Sequence, residues 1–131
     1  MGYAGRIMAG ILFVRTRDLA ETVAFYMERV GMNRWLSQPQ IEILQHENLL
    51  VGFHQAEQAD TDALITFFYA SRAEVDEMHA RLSRVALGAP QENARYDIYN
   101  FYATDPDGRR IEFQAFLKPV PAIPAVPGRP A

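Results

Sequence analysis

Glu112 is the residue about which chemistry can be built in this chain. It stands in the run Arg110-Ile111-Glu112-Phe113-Gln114-Ala115-Phe116, whose β-branched and aromatic residues mark a strand. Period-2 alternation puts Ile111 and Phe113 on one face, and Glu112 on the other with Arg110 and Gln114. If that second face is solvent, Glu112 is an ordinary strand charge. If it lines a cleft, desolvation disfavours the ionised form and suits the carboxyl to proton transfer or to anchoring a ligand's donor, while Arg110 and Gln114 offer opposing charge and hydrogen bonds. On the preceding run, Tyr99, Asn100 and Tyr102 divide between the two faces. His54 sits two residues beyond Gly52, on the same side of a strand and about 7 Å further along, which places it at a cleft rim. His46 in a turn and His79 on a helix read as solvent-facing. Trp35 and Gln38 are candidates to cap a cleft.

Other chemistries are excluded by what is absent. The chain has no cysteine, so disulfides, thiolate nucleophiles and cysteine metal ligands do not arise. It has no Ser-His-Asp arrangement, phosphate-cradling glycine loop or nucleotide fingerprint. A formal charge of −3 with no long basic run argues against nucleic acid. No segment approaches the roughly 20 apolar residues of a membrane span, and the start lacks a signal-peptide core. The expectation is a cytoplasmic protein.

The elements that would position these residues follow from periodicity and turn chemistry. Asp105-Pro106-Asp107-Gly108 sets a turn, so that Phe101–Thr104 and Arg110–Phe116 read as a hairpin. Ala9–Val14 reads as a buried strand, and Asp18 with Glu21 as a capping pair. Leu19, Val23, Tyr26 and Val30 form a helical stripe ended by Gly31. Short β-like runs follow at 33–37, 41–45 and 48–54. The pattern then begins again: a strand at Leu64–Tyr69, a capping box at Ser71 and Glu74, a stripe of Val75, Met78, Leu82 and Val85 closed by Gly88, and strands at 92–96, 98–104 and 110–116. Ile11 maps onto Leu64, Asp18 onto Ser71 and Glu21 onto Glu74, each at an offset of 53. Two copies are too few for a solenoid, so the sequence predicts a duplicated βαβββ unit.

With that duplication and the Asp105-Pro106-Asp107-Gly108-Arg109-Arg110-Ile111-Glu112 hairpin in hand, the chain resembles the vicinal oxygen chelate superfamily. This group includes glyoxalase I, bleomycin-resistance and fosfomycin-resistance proteins, methylmalonyl-CoA epimerase and extradiol dioxygenases. The resemblance covers about residues 9–117, including Asp18-Leu19, Phe25-Tyr26 and Val30-Gly31-Met32. It implies a curved sheet around a cleft and, in the enzymes, a divalent metal held from four equivalent strand places. Those places fall at Ile11, about Gly52, Leu64 and Glu112. Only Glu112 offers a donor, so no metal and no cofactor are expected. A cleft tyrosine of the fosfomycin-resistance branch corresponds to Tyr102.

The expected fold is therefore α+β: one domain, residues 1–117, of two βαβββ modules at about 9–55 and 63–117. A proline-rich tail, 118–131, reads as polyproline-like, either without a fixed place or as an arm on a neighbouring subunit. The expected function is a metal-independent cleft for a small apolar or aromatic molecule. Its lining is drawn from Ile11, Phe13, Trp35, Gly52, His54, Leu64, Tyr102, Arg110 and Gln114, with Glu112 as the reactive carboxyl. The alternatives are a lyase, isomerase or dioxygenase using Glu112 as acid/base, with or without a divalent metal, and a structural dimer with a vestigial cleft. A homodimer is expected, because two half-open sheets leave apolar strand surface uncovered.

Overall fold

The computed structural model describes residues 7–123. Eight strands form two four-stranded sheets, and each sheet mixes one parallel pairing with two antiparallel ones. In the first module β1 (Leu12–Thr16) leads through α1 (Leu19–Ala24) into β2 (Asn33–Gln38), β3 (Ile41–His46) and β4 (Leu49–Gln55), with spatial order β1-β4-β3-β2. In the second, β5 (Ile65–Tyr69), α2 (Arg72–Arg81), β6 (Gln91–Asn93), β7 (Ile98–Thr104) and β8 (Arg110–Phe116) repeat that order as β5-β8-β7-β6. The expected βαβββ duplication is thus the observed architecture.

Local chemistry accounts for the helix starts. Asp18 accepts from the Glu21 amide at 3.1 Å, and Ser71 accepts from the Glu74 amide while its hydroxyl donates to Glu74 Oε1 at 2.9 Å. The first helix continues beyond Ala24 as a π-helical stretch, Phe25–Val30, and ends at Gly31, whose φ of 101° only glycine adopts readily. Three expectations are corrected. The first strand begins at Leu12 rather than Ala9, α2 ends at Arg81 well before Gly88, and the strand expected at 92–96 is only Gln91–Asn93. Residues 94–97 turn instead, with Asp97 at φ 56°. His79 also departs from its expected place in solvent, for its ring packs edge-on against Phe101 at 5.0 Å. His46 likewise closes β3 and meets the Phe67 ring at 5.7 Å.

One core joins the two modules. Val23, Tyr26, Leu44, Val51 and Phe53 of the first lie in the same cluster as Phe67, Val75, Met78, Phe101 and Phe113 of the second. Tyr26 packs on Phe53 at 4.8 Å, and Phe113 stacks with Phe67 at 5.5 Å and with Phe101 at 5.2 Å. Burying side chains of this size contributes about 1.5–3 kcal/mol each.

The Asp-Pro-Asp-Gly turn is buried in that join. Asp105, Asp107 and Arg109 are 6, 5 and 0 % exposed. Arg109 pairs with Asp105 and donates to the carbonyls of Asp60 at 2.8 Å and Arg15 at 2.9 Å, so a second-module residue satisfies backbone of the first module and of the connecting segment. Tyr26 Oη donates to Asp105 Oδ2 at 2.6 Å, and Asp107 accepts from the Thr16 hydroxyl and the Arg17 amide. Burial, and then the neighbouring Asp105, push the Tyr26 phenol well above its ordinary value. Burial would raise the Asp107 carboxyl, but the Thr16 and Arg17 hydrogen bonds and the Arg109 charge outweigh it and hold the group below the usual carboxylate range.

Candidate functional site

Glu112 lies mid-strand on β8, between Thr66 of β5 and Tyr102 of β7 in register. It is 7 % exposed, and each carboxyl oxygen has a neutral donor: Thr66 Oγ1 to Oε1 at 2.9 Å, and Asn100 Nδ2 to Oε2 at 2.8 Å. A carboxylate offers about four lone-pair sites, so about two remain for a ligand's N–H or O–H. The cavity that Glu112 lines has a volume of about 360 Å³ and is walled by Asn93, Tyr96, Ile98, Tyr102, Gln114 and Phe116. Two guanidinium groups sit on its aromatic walls, Arg110 over Tyr102 and Arg95 over Tyr96, each 5.3 Å from the ring centroid.

Tyr102 and Gln114 therefore gather at Glu112, with Arg110 stacked on Tyr102. The other sequence-derived candidates stand elsewhere. Phe13 on β1 faces Gly52 on β4, the pair equivalent to Thr66 and Glu112 in the second module. There the space of a side chain is taken by an aromatic ring, since a Cβ on Gly52 would come within 2.4 Å of two Phe13 ring carbons. Ile11 and Leu64 immediately precede β1 and β5, His54 is exposed opposite Arg15, and Trp35 sits unpaired at the irregularity in β2. None of these six residues lines the Glu112 cavity.

The sequence reading missed Thr66, Asn93, Tyr96, Ile98 and Phe116 as lining or supporting residues and gave Asn100 no role. Thr66 was within reach of the repeat, because it lies 53 positions after Phe13 on the same face as Leu64. Tyr96 was not, because the turn that carries it replaces an expected strand. A wider groove of about 690 Å³ runs along α1 between Leu19, Val23 and Met27 on one side and Arg34 of β2 and Glu42 of β3 on the other. Its central charges neutralise one another, Arg34 donating to Glu42 at 2.6 Å.

The residues do not fit a divalent metal of the kind the fold resemblance implies. Ile11 and Leu64 carry no donor atom, the Phe13 ring covers Gly52, and Glu112 already holds two hydrogen-bond donors. Among the described residues no group of three or more His, Asp or Glu stands close enough to hold an ion.

The two-sheet arrangement matches solved structures closely. A glyoxalase/bleomycin resistance protein/dioxygenase from Nocardioides superposes with a TM-score of 0.70 at 18 % identity, over 99 % of this chain and 93 % of that one. A glyoxalase/bleomycin resistance protein/dioxygenase family enzyme from Burkholderia phytofirmans PsJN gives 0.72 at 19 % identity, over 82 % and 97 %. A lactoylglutathione lyase from Agrobacterium tumefaciens gives 0.65 at 22 % identity, over 86 % and 95 %. No family model matches the chain, and no curated protein matches it in sequence. The chain shares the fold of these glyoxalase/bleomycin resistance/dioxygenase structures.

Proposed function

We propose that the chain binds a small apolar or aromatic molecule carrying a hydrogen-bond donor, in the cavity at Glu112 and without a divalent metal. The observation that carries this reading is the state of Glu112: buried, held at both oxygens by neutral donors, and still lining an aromatic-walled cavity. Ligand sites are commonly apolar pockets of roughly 300–1,000 Å³ with a few fixed polar groups. The absence of a donor at three of the four metal places supports metal independence. The test is a ligand-observed NMR screen of aromatic fragments in the presence of chelator. Fragments with an amine or hydroxyl should bind the native protein and not Glu112→Gln, whereas equal binding to both would sink the reading.

A second reading, a lyase, isomerase or dioxygenase, takes support from the same carboxyl. Neither hydrogen bond that Glu112 accepts comes from an arginine or lysine, and the carboxyl lines the cavity, within reach of a bound substrate as an acid or base. Turnover of a bound fragment, lost in Glu112→Gln, separates the two.

We also propose a homodimer. β1 and β5 each lie at an open sheet edge, and Leu12, Phe13, Leu64 and Phe68 on these strands or next to them are 50, 50, 50 and 46 % exposed. Apolar edges of this kind are commonly buried by pairing.

A further inference from the structure

Arg110 and Arg95 stand at the Glu112 cavity without an acidic partner. Arg15, Arg17, Arg34, Arg72 and Arg109 each meet an aspartate or glutamate. Among the described residues, neither Arg110 nor Arg95 has a carboxylate within ion-pair distance, and neither guanidinium donates a hydrogen bond. Glu112 does not serve, although Arg110 lies two positions before it on the same face of β8, because its oxygens are engaged by Thr66 and Asn100. Both guanidinium groups rest instead on rings that line the cavity, Tyr102 for Arg110 and Tyr96 for Arg95. Such a contact holds a cation near the ring without neutralising it. The N–H donors lie in the plane of the group, in the fork that matches a carboxylate, and are left for a ligand.

The cavity thus has two poles. Glu112 accepts at one, and the stacked cations donate at the other. Same-face neighbours on a strand are about 7 Å apart, a gap that an aromatic ring substituted at opposite ends can span. Between the poles Ile98, Tyr102 and Phe116 supply the apolar wall for such a ring. A neutral aromatic alcohol would satisfy Glu112 and leave both guanidinium groups to water. We infer that the ligand is a small aromatic acid with a hydroxyl or amine at the far end of its ring: the donor meets Glu112, and the carboxylate meets Arg110 and Arg95. This assignment rests on the cavity reading proposed above. Residues 124–131, in the proline-rich tail, lie outside the described residues, and the site draws on none of them.

The test titrates the full chain with 4-hydroxyphenylacetate and with its neutral counterpart, 4-hydroxyphenylacetamide, by ligand-observed NMR. The acid should bind about five- to tenfold more tightly, the order expected of a charge-assisted pair at a partly exposed mouth, and this ratio should shrink as ionic strength rises. Arg110→Gln should bring the ratio to within about twofold of one, and Arg95→Gln should lower it. Arg110→Lys, which keeps the charge and loses the fork, should retain part of the preference. The ratio is the readout because damage to the fold or the cavity weakens both compounds alike. Equal affinities in the native protein, or a ratio indifferent to salt and to Arg110→Gln, would overturn the acid and leave the cavity reading in place. Binding of neither compound by the native protein would overturn both.

Discussion

Glu112 is held in place by side chains that do not neutralise it. Thr66 and Asn100 each supply one neutral hydrogen bond, which fixes the carboxyl plane and leaves acceptor capacity for a ligand. Glu112→Gln keeps the shape, and its NH2 can donate to the Thr66 hydroxyl, which turns to accept, while its carbonyl keeps the Asn100 bond. We expect a stability loss of about 1 kcal/mol or less and a roughly 10- to 150-fold loss of affinity for a donor-bearing fragment. Chemical denaturation and titration on the same preparation check both. A larger stability loss with binding intact would make Glu112 a structural residue. In the first module the equivalent place tests packing instead. Gly52→Ala should cost roughly 1–3 kcal/mol, because its Cβ meets the Phe13 ring, and much less in a Phe13→Ala background. An additive double-mutant cycle would show that the ring is free to move aside.

The Asp105–Arg109 turn shows at the level of elements what the sequence could and could not disclose. Its hairpin was legible, since proline and glycine dictate the backbone and the flanking runs alternate. Its burial was not, because Asp and Arg are the residues least expected inside. The partners also lie far off in sequence, Asp60 49 positions and Arg15 94 positions from Arg109. Arg109→Met would leave Asp105 buried without its cation and Asp107 with Arg17 alone, and we expect a loss of about 3–5 kcal/mol in denaturant unfolding. The pH dependence follows from Asp107. Its folded value lies below the unfolded value of about 3.9, so the unfolded chain takes up the proton first. The stabilisation is complete above that value and is lost as pH falls through the folded one. Melting temperature should hold between pH 7 and about 5 for this group and fall below about pH 4. Asp107→Asn should be less stable at pH 7 and show a shallower acid limb; an unchanged limb would remove Asp107 from the account.

At the scale of the molecule, duplication was the most legible property, because capping pairs, strand runs and the offset of 53 all carry it. The cavity was half legible. Parity alone put Glu112, Arg110 and Gln114 on one face and carries Phe116 with them, but Tyr96 enters through a turn that parity does not reach. Duplication also sharpens the functional reading, for the two modules hold equivalent places with opposite chemistry: a buried carboxyl in one, and a ring lying over a glycine in the other. Multi-angle light scattering at micromolar concentration should report twice the chain mass of 14.9 kDa; a monomer would leave the open edges of β1 and β5 without their proposed cover. The most direct test of the central claim, a ligand cavity that works without a metal, is the melting temperature in chelator compared with zinc, nickel, manganese and iron(II). A metal at about 100 times its dissociation constant adds roughly 2.7 kcal/mol, a shift on the order of 10 °C for a domain of this size. The predicted result is one melting temperature across the whole series. A reproducible rise of that order with one metal, abolished by Glu112→Ala, would contradict it.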